Sequence, residues 1–208
     1  MLGRLAILGA SGHGKVVADA AEAAGWQDVV FFDDAWPTVL DNGPWTVIGT
    51  TSDLLRSLSD FEGVLVGIGN NTIRWEKLDL LIEKGGRVVS VVHPNATVSI
   101  RASIEQGTVV FAGVVVNAGA NVGAGVILNT NAVVEHDCIL GCACHISPGA
   151  ILAGGVRLGN SVWVGANASL RQLVCVGDNS IIGMGAVVLQ DIAAGSTMIG
   201  NPAHSLSI

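Results

Sequence analysis

The sequence predicts two architectures in tandem: a small parallel α/β domain, followed by a parallel β-solenoid of six-residue repeats. Three observations carry this. Charge is divided unevenly, with 7 Lys/Arg and 12 Asp/Glu in residues 1–92 but only 3 and 5 in residues 93–208. Before His93, apolar runs of strand length alternate with helix-length segments. After it, aliphatic residues return at every sixth position.

In the first half, Leu5–Gly9 reads as an apolar strand, Gly12 to about Ala24 as a helix, Val29–Phe32 and Val64–Ile68 as strands, Ile73–Lys84 as a helix and Arg87–Val91 as a strand. Strand–helix alternation is the pattern of a Rossmann-like parallel sheet. The loop Gly9-Ala10-Ser11-Gly12-His13-Gly14 follows a strand and opens a helix, which suits a phosphate or pyrophosphate. Its spacing is not G-x-G-x-x-G, so NAD is not expected. A purely structural turn is the plain alternative. His93-Pro94-Asn95 marks the boundary, giving an α/β domain at 1–92, a solenoid at 93–192 and a tail at 193–208.

From Val98 to Val188 in steps of six, all sixteen residues are Val, Ile or Leu, and the register never slips. Two residues before each stands a small or β-branched residue, among them Ala102, Ala132, Cys138, Cys144 and Ala168. One residue after, glycine recurs at 123, 141, 159, 165, 177 and 183, where a corner is expected to need it. In an extended segment the aliphatic residue and the one two before it face inward, so the residue between them faces out. Sorted eighteen apart, one outward column is Val109, Ile127, His145, Trp163 and Ile181. A second is Thr97, Val115, Val133, Ile151, Ser169 and Val187; a third is Ser103, Asn121, Ile139, Arg157 and Cys175. Two apolar faces suit a head-to-tail ring, so a homotrimer is expected, the alternative being that the amino-terminal domain covers one face.

Composition narrows the function. A net charge of −7 leaves no basic stripe for nucleic acid. The uncharged stretch between Glu105 and Glu135 carries Asn117, Asn121 and Asn129, which argues against membrane insertion. The apolar run after Arg4 is too short for a secretory signal, and a cytoplasmic protein is expected. The cysteines at 138, 142, 144 and 175 read as reduced packing residues. Cys142, Cys144 and His145 lack the second pair of a closed zinc site, so no metal is expected.

The chemistry concentrates in Glu135-His136-Asp137-Cys138, where two carboxylates flank an imidazole. From position alone, His136 is equally a solvated corner residue and His145 an interface filler. GASGHGKVVAD, FFDD, IGNNTIR, HPNATVS, NTNAVVEHDC and the closing GNPA together resemble the sugar-nucleotide acetyltransferases of the sialic-acid O-acetyltransferase type, and most of all the bacterial enzymes that N-acetylate UDP-4-amino-4,6-dideoxysugars. The resemblance implies a left-handed, triangular β-helix with eighteen residues per coil and acetyl-CoA as co-substrate. It implies His136 as general base, with Asp137 raising its basicity in a place where the family often has Glu. It implies His145, Ala166 and Met184 at acetyl-CoA, and Ser11, Gly12, His13, Asp33, Asp34 and Gly69 at a UDP-amino-sugar. A 4-amino group is largely protonated near neutrality, and an imidazole with pKa about 6.5 can take its proton as the bond to the thioester carbon forms. Direct transfer needs no covalent enzyme intermediate.

GNPA ends at Ala203 and is followed here by His204-Ser205 rather than by Lys or Arg. The CoA phosphates are then left to Arg101, Arg157 or Arg171, or to backbone, and Arg157 and Arg171 are equally read as solvated. Other readings are a sialic acid O-acetyltransferase, a carbonic-anhydrase-like zinc trimer, which needs three histidine ligands, and a non-catalytic scaffold.

Overall fold

The computed structural model describes residues 2–206. Met1, at the head of the 1–92 domain, and Ser207 and Ile208, at the end of the 193–208 tail, lie outside the described residues. The chain forms two compact units, Met1–Pro94 and Asn95–Ile208.

The first unit is built on a three-stranded parallel sheet in the order β2-β1-β5, with β1 at Leu2–Leu8, β2 at Trp26–Phe32 and β5 at Gly63–Val66. Leu5 pairs with Val29 on one side and Gly63 on the other, and Leu5, Ala6 and Ile7 are fully buried. A continuous apolar run is what a central parallel strand, covered on both faces, requires. Helix α1 (Gly12–Ala23) buries Val17, Ala18, Ala20 and Ala21, and α3 (Asn71–Glu83) buries Arg74, Leu78 and Leu81, residues i, i+4 and i+7 of one stripe. The Asn70 side chain caps α3 by accepting from the Ile73 N–H at 3.0 Å.

Three elements escaped the periodicity. A hairpin joins β3 (Asp41–Asn42) to β4 (Trp45–Thr46), and α2 (Thr51–Arg56) starts at a capping box made by Thr50 and Asp53. These are too short to show a period. The strand expected at Arg87–Val91 is not formed as such. Val64 donates to the Arg87 carbonyl at 2.9 Å and accepts from Val89 at 3.2 Å, a single bridge, and only Val91–Val92 is strand (β6). Alternating apolar residues specify extended backbone but no partner to pair with.

The second unit is a left-handed parallel β-helix of hexapeptide repeats. Its three sheets run from Thr97–Val98 to Val187–Val188, from Ser103–Ile104 to Cys175–Val176, and from Val109–Val110 to Ile181–Ile182, each made of two-residue strands paired eighteen apart. All three outward columns read from the sequence are the paired columns of the structure. Thr197–Ile199 extends the third sheet by pairing with Ile181–Ile182, and His204–Ser205 folds back against it.

The inward rows make one core. The aliphatic row from Val110 to Val188 and the small row from Val114 to Ala186 are buried, with Cys138 and Cys144 packed among them. The buried hydroxyls stay satisfied: Thr108 Oγ1 donates to the Gly123 carbonyl at 3.0 Å, and Ser180 Oγ to that of Ala193 at 3.0 Å.

The recurring glycines serve close approach rather than a left-handed corner. A Cβ on Gly141 would lie 2.6 Å from the backbone of Gly159 in the next coil. The left-handed residues stand two places further on and include Asn131, Asp137, Asn167, Asn179 and the unexpected Leu173 at φ 66°. Asn and Asp tolerate that conformation because their short polar side chains bond locally.

Candidate active site

In the first unit, β1 delivers the glycine loop to the start of α1. The Ser11 side chain makes no capping bond and the first turn of α1 holds no acid of its own. A Cβ on Gly14 would lie 2.2 Å from the Gly9 carbonyl oxygen, so only glycine lets the helix start this close to the strand. Asp33 ties the loop down: one carboxylate oxygen accepts from the Ala10 N–H at 2.8 Å, the other from the Ala35 N–H at 2.9 Å. The Asn42 amide donates to the Ser11 carbonyl at 3.0 Å.

Asp34 is engaged elsewhere. It accepts from the Thr51 N–H at 2.8 Å and meets the Lys77 ammonium at 3.1 Å. Burial pushes its carboxyl up, but the Thr51 and Lys77 interactions outweigh this and hold it below the usual carboxylate range. His13 lies beside Gly69, where an added Cβ would be 3.8 Å from the His13 Cβ. Burial first, and then the Arg74 charge, lower its pKa to about 4, so the imidazole is neutral at neutral pH. Arg74 is 1% exposed and donates to the carbonyls of Ile68 (3.2 Å) and Gly69 (2.9 Å) and to Asn71 Oδ1 (2.9 Å), bracing the segment that carries Gly69.

In the second unit, His136 stands at an exposed corner with Nδ1 2.9 Å from Asp137 Oδ2. A carboxylate only accepts, so Nδ1 carries the proton and the Nε2 lone pair is left to act as a base. The bond to Asp137 raises the imidazole pKa; partial desolvation opposes it, and the charges of Asp137 and Glu135 add to it. The shorter carboxylate reaches because Asp137 is left-handed at φ 60°. Cys138 turns inward and donates to the Ala153 carbonyl at 3.3 Å, and burial pushes its thiol up, so it is no nucleophile.

His145, Ala166 and Met184 line one apolar groove of about 480 Å³, together with Ser147, Trp163 and Gly183 among others. The His145 ring stacks on Trp163 with centroids 5.7 Å apart and planes 7° off parallel. Asn129 Nδ2 lies 3.1 Å from His145 Nε2, and Trp163 Nε1 donates to Ser147 Oγ at 2.8 Å. Arg101, Arg157 and Arg171 do not line this groove.

The structure thus gathers the candidate residues into a loop cluster in the first unit and, in the second, a His–Asp corner and a groove. Sequence reasoning assigned no role to Arg74, Lys77, Asn129 or Trp163. Trp163 carried a signal, being the aromatic next to His145 in its column; Arg74 closes the IGNNTIR segment, but its bracing role went unread because an arginine on a helix reads as solvated. Among the described residues no group of three or more His, Cys, Asp or Glu is placed to hold a metal ion, and no helix is long and apolar enough to cross a membrane.

Residues 4–81 match the family model described as the PglD N-terminal domain. The acetyltransferase domain of PglB from Neisseria gonorrhoeae, in complex with acetyl coenzyme A, is 45% identical, with 98% of each chain covered and a TM-score of 0.94. PerB from Caulobacter crescentus, in complex with CoA and GDP-perosamine, is 35% identical over 100% of this chain and 99% of that one, with a TM-score of 0.93. A serine acetyltransferase from Helicobacter pylori is 48% identical over 50 residues, which is 24% of this chain and only 29% of that enzyme's length.

Proposed function

Since the chain belongs to the hexapeptide-repeat sugar-nucleotide acetyltransferases, we propose that it transfers acetyl from acetyl-CoA to the 4-amino group of a UDP-4-amino-4,6-dideoxysugar. The observation that carries this is the 2.9 Å His136–Asp137 contact, in a chain so similar to an acetyl-CoA-bound acetyltransferase domain. The neutral amine attacks the thioester carbonyl, His136 Nε2 takes the proton released as the C–N bond forms, and the C–S bond breaks to release CoA thiolate. Asp137 holds the tautomer and stabilises the imidazolium. His145, Ala166 and Met184 line the path of the pantetheine arm, whose length and low polarity suit an apolar groove.

The glycine loop with Ser11, Gly12 and His13 takes the diphosphate of the nucleotide, for which an uncapped helix N-terminus is fitted. His13, being neutral, contributes a hydrogen bond rather than a charge. Asp33 holds the loop through the Ala10 N–H, Gly69 lies beside His13, and Asp34, next to Asp33, completes the proposed sugar-nucleotide site. The subunits form a homotrimer through the faces that carry Ile151 and Trp163, both exposed in the single chain. The reaction takes place in the cytoplasm.

The deciding experiment offers acetyl-CoA with UDP- and GDP-linked amino-sugars and free sialic acids, and identifies products by mass. Acetylation of a UDP-4-amino-sugar is expected, with His136→Ala slower by about 10²–10⁴-fold. Turnover of sialic acid alone, or a wild-type rate from His136→Ala, would overturn the reading.

A further inference from the structure

The corner that carries His136 recurs every six residues, and its other occupants from 100 to 184 include Ile, Gln, Ala, Thr, Cys, Pro, Asn, Asp and Met. The backbone there accepts nearly any side chain. Glycine occurs once in that series, at 154, one coil after His136 in the same column. Neighbouring bonds fix the stacking, with Gly155 N–H donating to the His136 carbonyl at 2.8 Å. Gly154 has no left-handed φ to account for it, unlike Gly155. What accounts for it is space: a Cβ at 154 would lie 2.5 Å from His136 Nε2, 2.6 Å from Cε1 and 3.2 Å from Cδ2.

We propose that Gly154 is a positioning residue for His136: by carrying no side chain, it lets the imidazole lie against the next coil with Nδ1 on the Asp137 carboxylate. The three atoms nearest the missing Cβ all belong to the imidazole, the mobile end of a side chain. A methyl group at 154 is therefore accommodated by rotation of His136, not by displacement of the coil, and rotation breaks the bond to Asp137. This differs from Gly141, whose missing Cβ faces backbone that has nowhere to go.

The catalytic part of the inference rests on His136 being the base; the geometric part does not. In the full-length protein, NMR titration of the His136 ring should give a lower pKa in Gly154→Ala than in the wild type, with an unchanged thermal midpoint. In turnover, Gly154→Ala should lose about 10²-fold in kcat with the KM for acetyl-CoA held within about twofold. Placed on His136→Ala, the same change should cost nothing further, since it acts through a ring no longer there. An unchanged His136 pKa and kcat in Gly154→Ala, or a full further loss on the His136→Ala background, overturns the proposal. Should His136→Ala turn over normally, the base assignment fails while the titration still decides the positioning. If Gly154→Ala does not fold, the wild type decides: a nuclear Overhauser contact between Gly154 Hα and the His136 ring supports the proposal, and its absence overturns it.

Discussion

Two histidines have been driven in opposite directions by their surroundings. His136 is exposed and bonded to Asp137, so its pKa is raised, and in the proposed role of base it is competent only when neutral. The rate, kcat/KM, should therefore climb with pH along a limb centred above 6.5. Asp137→Asn should move that limb to lower pH and lower the plateau by about 10²-fold, because the carboxamide neither stabilises the imidazolium nor enforces the tautomer. A pH–rate profile of the two proteins checks this. His13 is the reverse case, with a folded pKa of about 4 against 6.5 in the unfolded chain. Its neutral form favours folding fully above pH 6.5. As pH falls from about 6.5 to about 4 the unfolded chain binds a proton that the folded one refuses, and stability drops by about 3 kcal/mol. Urea unfolding at pH 7 and 4.5 should show most of that loss in the wild type and little of it in His13→Gln.

At the level of the element, the solenoid was open to reading because a two-residue alternation inside an eighteen-residue coil leaves each position one orientation. Val134 is inside and Val133 outside by count alone, and the structure agrees. The corners were less legible. Their geometry depends on φ, which Asn131 and Asp137 announce by type but Ala143 and Leu173 do not. Leu173 is 73% exposed, so its left-handed backbone is strained with little burial in return. Leu173→Gly should raise stability by about 1 kcal/mol, the steric penalty of an L side chain in that region. Gly141→Ala should lower it by about 1–3 kcal/mol, because its Cβ meets the Gly159 backbone. Chemical denaturation of the two variants reads both signs. In the first unit, β1 and α1 were legible from long periodic runs, whereas α2 rests on one capping box and the 87–91 segment on one bridge.

For the whole molecule, the histidine corner and the groove that carries His145 are separate features of one chain, and the homotrimer expected from the two apolar faces is what would join them. His136 and His145 are nine residues apart, half a coil, and stand in different columns. If the proposed base and thioester site lie half a coil apart on one chain they do not meet, whereas the proposed ring of subunits would present the corner of one chain to the groove of its neighbour. Activity should then belong to the seam and not to the chain. His136→Ala lacks the base and Ala166→Trp fills the groove, so each alone should be inactive. Unfolded together and refolded as mixed trimers, they restore a seam wherever an intact corner meets an intact groove, which random assembly gives at about one seam in four. Recovery of roughly a quarter of the wild-type rate is the expected result, against none when the two proteins are mixed without unfolding. A mixture that stays inactive although mass analysis shows mixed trimers would place the whole site within one subunit.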